Sequence, residues 1–325
     1  MTIERLRSGL DDYLARAVPH RERRSIRSLT ALTGGWANSL YTVTLPPAGS
    51  EAALPATSVL KLYEPDARGS EHARREWRAL TELRAVDYPV PGVLVFEPDA
   101  GHLGRPFIVM EHLPGAPFWD VFEAADAVAR AELTRSFAAR LVTLHELDPN
   151  RLDPAAGLMG PYDYIDTELA RLRRDCAESA HPALARILPW LQRRRPAVPC
   201  DRPAILHRDY HAWNVLVTGT DELWVIDWDW QIGDARFDLA WTCMLMDRSG
   251  ASAFSDAVRD EYGRRSDRPL DDLDFFEVLT TLRWLLNVLP AAAVRADFRA
   301  FLIEPVRRAR EILRERTGVG VTLAL

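Results

Sequence analysis

The amino-acid sequence predicts a two-lobed α+β protein, with a small, mostly antiparallel β-rich lobe over residues 1–111 and a larger, mainly helical lobe over residues 112–325. Three observations lead there. A chain of 325 residues exceeds the size at which one hydrophobic core keeps growing, so its apolar residues divide between two. Strand-like runs punctuated by Gly and Pro crowd into the first third. Beyond Pro114 the apolar residues recur at helical spacing, as Leu133, Phe137, Leu141 and Leu144 do.

The elements follow in order. After an N-terminal helix, SLTALTGGWANSLYTVTL (28–45) reads as a strand, a Gly-Gly turn and a second strand. A Pro-rich loop leads to TSVLKLYEP (57–65), an apolar, half-buried strand. SEHARREWRALTELRA (70–85) is a helix with Ser70 as its N-cap and Glu71 in its first turn. VLVFEP and RPFIVMEHLPG supply two more strands. In the second lobe a helix spans 129–148, and further helical segments run through 164–193, interrupted by Pro182 and Pro189. AILHRDYHAWNVLVTGTDELWVIDWDW then returns to short strands around a TGTDE turn, and helices close the chain from about residue 238.

Composition excludes several classes. With 47% hydrophobic and 27% charged residues the chain is an ordinary globular protein. A net charge of −6 and a pI near 5.8 lack the basic footprint of a general nucleic-acid binder. The N-terminal MTIERLRSGLDDYLARAV mixes acids and bases without the apolar segment of a signal peptide, and no run of about 18 apolar residues is evident, so a cytoplasmic location without membrane insertion is expected. Cys176, Cys200 and Cys243 are odd in number and widely spaced, which suits reduced packing residues. Lys61 is the single lysine among 41 Lys plus Arg. Codon bias with one leftover surface lysine is the plain reading, but its strand context suggests a site that needs a compact point charge.

The chemistry concentrates in two segments. HRDYHAWN (207–214) has the spacing H-x-D-x-x-x-x-N and lies between Ile205-Leu206 and Val215-Leu216-Val217, so it is a loop held at both ends by apolar structure. About ten residues on, WVIDWDW puts Asp227 and Asp229 on one side of an extended strand, with Ile226, Trp228 and Trp230 on the other. Two carboxylates and an amide make an all-oxygen site that suits magnesium, and a loop Asp beside it can accept a proton. Strand-end capping would explain any one of these residues, and His207 with His211 could bind zinc if they lay on a helix. The flanking strands, and the lack of a Glu between the two histidines, weaken the zinc reading.

Taken in order, TGGWAN, VLKLY, the Glu76 helix, FIVMEHLPG, LVTLHELDP, LHRDYHAWNVLV and WVIDWDWQIGDARFDLA cover roughly residues 28–245. This series resembles the aminoglycoside phosphotransferase and choline-kinase-like family, whose fold is protein-kinase-like. The resemblance implies roles drawn from phosphoryl transfer. Lys61 would hold the α- and β-phosphates of ATP, fixed by an ion pair with Glu76, which borders the apolar face of its helix. Asp209 would orient the acceptor hydroxyl and take its proton, while Asn214 and Asp227 would hold Mg2+, with Asp229 in reserve. MEHL resembles a kinase hinge, where the carbonyl of Glu111 and the N–H of Leu113 would meet the adenine and Met110 would line the pocket. Gly35, Asn38 or Ser39 would approach the phosphates, although TGGWANS departs from the G-x-G-x-x-G of protein kinases.

Almost no chain separates Asp227 from GDARFDLA, so there is no room for a long activation segment. That favours a small, freely diffusing acceptor and constitutive activity. Asp260, Glu261, Asp271, Asp272, Asp274 and Glu277 could form an acidic face for an amine-bearing substrate, or a solvated surface. Trp228, Trp230 and Trp241 could stack on a sugar or cover an ammonium group, or serve as core. The expected activity is ATP- and magnesium-dependent phosphorylation of a small hydroxyl compound, an aminoglycoside-like antibiotic or amino sugar, with a bearing on antibiotic resistance. A choline-, ethanolamine- or homoserine-type metabolite kinase and a non-catalytic nucleotide-binding pseudokinase are the alternatives. The protein is expected to act as a monomer or weak dimer.

Overall fold

The computed structural model describes residues 2–17, 25–32, 39–47, 54–219 and 222–323. Helix α1 (Ile3–Ala17) precedes strands β1 (Ser28–Ala31), β2 (Ser39–Thr44) and β3 (Thr57–Leu62), helix α2 (Ala67–Arg84), and strands β4 (Val93–Glu97), β5 (Phe107–Glu111) and β6 (Gly115–Pro117). Helices α3 (Phe118–Ala124), α4 (Ala127–Glu146), α5 (Asp163–Glu178) and α6 (Leu188–Arg194) follow, then strands β7 (Ala204–Leu206), β8 (Val215–Thr218), β9 (Glu222–Val225) and β10 (Gln231–Gly233). Helices α7 (Ala235–Arg248), α8 (Ser252–Arg265), α9 (Leu273–Val294) and α10 (Ala296–Thr317) complete the described chain.

Two compact units divide it: residues 1–116 with 216–229, and residues 117–215 with 230–325. In the first, an antiparallel sheet has the order β1-β2-β3-β5-β4, with β3 central. Leu60 and Leu62 of β3 join Val43, Phe107, Val109, Leu10 and Leu14 in its core. Lys61, between them, turns to the opposite face, as the period of a strand requires. Helix α2 starts at Ala67 rather than at residue 70, because Asp66 caps it by accepting the Gly69 N–H at 2.9 Å. Ser70 therefore lies inside the helix, and the Ser70 cap expected from sequence is corrected.

The boundary expected at residue 111 also differs. Residues 216–229 group with the first unit because β8 and β9 continue a small sheet from β6. The Val225 N–H donates to the Pro89 carbonyl, and Trp228 packs edge-on against Tyr88.

The second unit is helical around a core of Leu169, Phe237, Leu279, Leu282 and Leu285. A two-stranded antiparallel pairing of β7 with β10 lies within it. Helix α9 is long and apolar enough by composition to cross a membrane, and 56% of its most apolar stretch is buried inside the protein. Asp274, Glu277 and Arg283 interrupt it, so it holds no unbroken run of about 18 apolar residues. The three cysteines are free and buried, and burial raises their thiol pKa values to about 11 for Cys176 and Cys243 and about 12 for Cys200.

Candidate active site

In the first unit the site is built around Lys61. Its ammonium donates to both carboxylate oxygens of Glu76, at 2.7 and 2.5 Å, and to Oδ1 of Asp227 at 2.6 Å. An ammonium has three donors, and these three bonds satisfy them. The side chain is 3% exposed. Burial alone would pull its pKa down, but the charges of Asp227 and Glu76 outweigh it and raise the pKa above the ordinary lysine value. Glu76 reaches this place from the buried face of α2, between Ala73 and Leu80. Its Oε2 also accepts the Tyr63 hydroxyl at 2.7 Å. The strand context had offered Tyr63 only as a neighbour, whereas it fixes the carboxylate that fixes the lysine.

Asp227 does not belong to an extended strand. Strand β9 ends at Val225, and Asp227 has φ of 64°, in the left-handed region. That conformation costs an ordinary residue about 1–2 kcal/mol, less for Asp, and it aims the carboxylate at Lys61. The strand alternation expected for Asp227 and Asp229 is thus corrected by a backbone turn that composition does not reveal. Asp227 is 50% exposed, and Asp229 lies 3.7 Å from Arg75. Trp228 is core, its indole N–H donating to the Val225 carbonyl.

Of the hinge candidates, the Glu111 N–H donates to the Gly92 carbonyl, and its carboxylate accepts the Gly92 N–H. Met110 is buried beside it, and Leu113 follows the end of β5. Ser39 accepts a hydrogen bond from Arg105. Gly35 and Asn38 lie outside the described residues.

In the second unit the 207–214 loop is held by its backbone. The N–H groups of His207 and Arg208 donate to the two oxygens of Asp238, at 2.6 and 2.9 Å. Nε2 of His145 lies 3.3 Å from the same carboxylate, and its Nδ1 lies 2.8 Å from the Tyr262 hydroxyl. Thr242 donates to the Tyr210 carbonyl, and Tyr210 to that of Phe137. Arg208, with φ of 71°, donates to the buried Glu168. Asp238 and Glu168 are anchors that sequence reasoning missed. The only cue was GDARFDLA following the loop, with no role attached to its second Asp.

This scaffold presents Asp209, which is 37% exposed. Its Oδ1 accepts the Trp241 indole N–H at 2.8 Å, and its Oδ2 accepts the Asn214 amide at 3.1 Å. Each oxygen keeps a lone pair for an incoming hydroxyl. Trp241 is buried against Phe237 and orients the carboxylate, and Trp230 is buried as well, so neither presents a face for a sugar. The Asn214 amide nitrogen is bound to Asp209 twice, which leaves its carbonyl oxygen as a donor to a hard cation. An amide oxygen such as that of Asn214 in the second unit, and a half-exposed carboxylate such as that of Asp227 in the first, are each of the oxygen type that suits magnesium. Among the described residues no cluster of three or more His, Cys, Asp or Glu forms a metal site. His207 and His211 each use Nδ1 to accept a loop N–H, from Asp209 and Trp213, which accounts for both without zinc.

Four of the six acidic residues expected to form a face over 260–277 are paired with arginines. Glu261 pairs with Arg264 and Arg265, Asp272 and Asp274 with Arg194, and Glu277 with Arg316.

Comparison with known proteins adds a family and a fold. A family model described as the phosphotransferase enzyme family matches residues 28–279. A Ralstonia eutropha JMP134 protein provisionally named an aminoglycoside phosphotransferase is similar in structure, with a TM-score of 0.71 at 19% identity over 95% of this chain and 96% of that one. An aminoglycoside phosphotransferase in complex with GDP and kanamycin has a TM-score of 0.63 at 18% identity, covering 94% and 97%. LicA in complex with AMP has a TM-score of 0.64 at 16% identity, covering 96% and 99%. At such identities these likenesses establish the fold, which is protein-kinase-like. Among curated sequences, acyl-CoA dehydrogenase family member 10 of Mus musculus is 29% identical over 185 residues, 54% of this chain and 17% of that protein. Member 11 of Gallus gallus is 27% identical over 171 residues, 51% and 22%. The chain thus matches only about a fifth of the length of these relatives.

Proposed function

The chain belongs to the phosphotransferase enzyme family, and from that premise we propose that this small-molecule kinase moves the γ-phosphoryl group of ATP, with magnesium, to a hydroxyl of its acceptor. The observation that carries the reading is the lone lysine: its ammonium is buried between Glu76 and Asp227 rather than on the surface. The GDP and AMP complexes among the structural neighbours support a nucleotide co-substrate.

Glu76 holds Lys61 from the buried side, and Tyr63 holds Glu76. An arriving phosphate takes the donor that Lys61 now gives to the more exposed Asp227. Asp227, no longer needed by Lys61, and the carbonyl oxygen of Asn214 would be the residues to hold magnesium. Bound magnesium supplies neutralisation of phosphate charge. Asp209 accepts the proton of the acceptor hydroxyl as its oxygen bonds to the γ-phosphorus and the bond to the β,γ-bridging oxygen breaks, releasing ADP. Trp241 keeps Asp209 in the required orientation. Glu111 and Leu113 are the proposed adenine partners, and a cytoplasmic setting is part of the same reading.

An aminoglycoside-like or amino-sugar acceptor is supported by a neighbour bound to kanamycin. A metabolite hydroxyl is the second reading, favoured because Asp272, Asp274 and Glu277, among the acidic residues that would attract an amine, already have arginine partners. A panel of both acceptor types, assayed for ADP release with product mass, decides between them. Release of ADP that depends on acceptor and magnesium is expected. Nucleotide binding without turnover of any acceptor would replace the kinase with a nucleotide-binding protein.

A further inference from the structure

A cavity of about 650 Å³ opens in the second unit, lined by Trp213, Arg248, Phe301, Glu304, Pro305 and Arg307 among others. It adjoins the proposed base. Trp213 belongs to the Asp209 loop, and its N–H donates to His211. Arg248 lies seven residues after Trp241 on α7, two turns along the same face. Trp241 is the residue that donates to Asp209. Exposed Trp213 and Phe301 give the cavity flat apolar walls.

Arg248 is an unusual cation for this arginine-rich chain. Among the described residues, other arginines at the cavity have carboxylate partners: Arg307 pairs with Glu304 and Glu311, and Arg308 with Glu311. Arg248 has none. Its guanidinium lies over the Trp284 ring at 3.8 Å, and its buried Nε has no hydrogen-bond partner. Burial pulls its pKa down to about 9, with the charge of Asp209 opposing, so it remains a cation at neutral pH. The neighbouring Asp247 makes no ion pair with Arg248; burial raises its pKa, and the cation opposing that rise is Arg259. Arg248 is partly buried and only its Nε is shut off from solvent, so the rest of its fork of donors is left to match a carboxylate or phosphate.

We propose that this cavity is the acceptor subsite and that the acceptor carries an anionic group, a carboxylate or a phosphate monoester, which pairs with Arg248 while its hydroxyl reaches Asp209. The inference rests on the phosphotransfer reading of Asp209 and narrows its substrate class. A polycationic acceptor would meet an uncompensated positive charge at the cavity wall, which is the repulsive element specificity needs.

The test uses the full chain and one six-carbon primary alcohol scaffold bearing, at its far end, a carboxylate, a phosphate monoester, a neutral amide or an ammonium. Binding is titrated by tryptophan fluorescence with magnesium-ADP present, and kcat/KM is measured with magnesium-ATP. The anionic members are expected to exceed the amide by about 10- to 100-fold in both, the scale of a charge-assisted hydrogen bond. The ranking of carboxylate against phosphate tells which anion the site takes. In Arg248→Gln the ratio of anion to amide falls toward one, and Arg248→Lys restores part of it. Because the ligand series is run on the wild-type protein, the result survives if the Gln variant fails to fold. Equal binding of all four members, a preference for the ammonium, or an equal loss for all four in Arg248→Gln would overturn the proposal and leave Arg248 as support for Asp209. Anion-selective binding without ADP release would keep the subsite and remove the kinase reading. ADP release without charge preference would do the reverse.

Discussion

At the level of single residues, the lone lysine has a physical cause. Its Nζ lies within 2.7 Å of three carboxylate oxygens in a space 3% exposed, where a planar guanidinium is too large. Lys61→Arg should therefore lower kcat/KM for ATP by about 10-fold or more, and overpacking should also lower the stability of the nucleotide-free protein by about 1–3 kcal/mol. Wild-type kinetics in that variant would leave the lysine without a role. The pKa of Lys61 is raised by its two carboxylates, so its stabilising contribution is complete below 10.5 and fades only as pH rises through the higher folded value. The stability difference between wild type and Lys61→Met should accordingly be flat from roughly pH 6 to pH 9 in denaturant titrations. For the base, Asp209→Asn should reduce turnover by about 10² or more with little change in ATP affinity. Trp241→Phe, which removes only the N–H donor to Asp209, should lower kcat more than it raises KM for either substrate.

Elements supply the placement that residues need. Helix α7 carries Asp238, which receives two loop N–H groups, and Trp241, which meets Asp209. One helix thus sets both the backbone and the carboxylate orientation of the 207–214 loop. Asp238→Ala leaves two buried donors unsatisfied and should cost about 2–5 kcal/mol in urea denaturation, with a parallel loss of turnover. A variant with unchanged stability would mean that water or another group can replace Asp238. Helix α2 acts in the same way on the first unit, since Glu76 faces inward between Ala73 and Leu80.

For the whole molecule, ligand linkage is the sharpest observable. A nucleotide that binds only the folded state stabilises it by about 2.7 kcal/mol at 100 times its Kd, so magnesium-ADP should raise the melting temperature and EDTA should remove most of that gain. Asp227 is half exposed, and Lys61 keeps Glu76 without it. Asp227→Ala should therefore fold, yet lose the magnesium-dependent part of the shift and its turnover. Asp229, which lies beside Arg75, should show a milder defect. Equal magnesium dependence in Asp227→Ala would remove it from the metal role.

Local signals were enough to identify the antiparallel β segment, the helical remainder and the residues of chemical interest, because strand alternation, helical spacing and H-x-D-x-x-x-x-N are written in contiguous chain. Glu76 could be placed on a buried helix face for the same reason. Tertiary structure alone decided the partners. Tyr63 on Glu76, Asp238 beneath the loop and Trp241 on Asp209 join residues 13, 30–31 and 32 positions apart, and no local period links such positions. Backbone conformation was equally hidden: the left-handed Asp227 ended an expected strand, and Asp66 displaced Ser70 as the α2 cap. Charge was the most misleading signal. The acidic run at 260–277 invited a cationic substrate until its arginine partners came into view, whereas Arg248, one arginine among 40, is distinguished only by the counterion it lacks among the described residues. A sequence reports which charges a chain carries, but pairing depends on distances that only the fold sets.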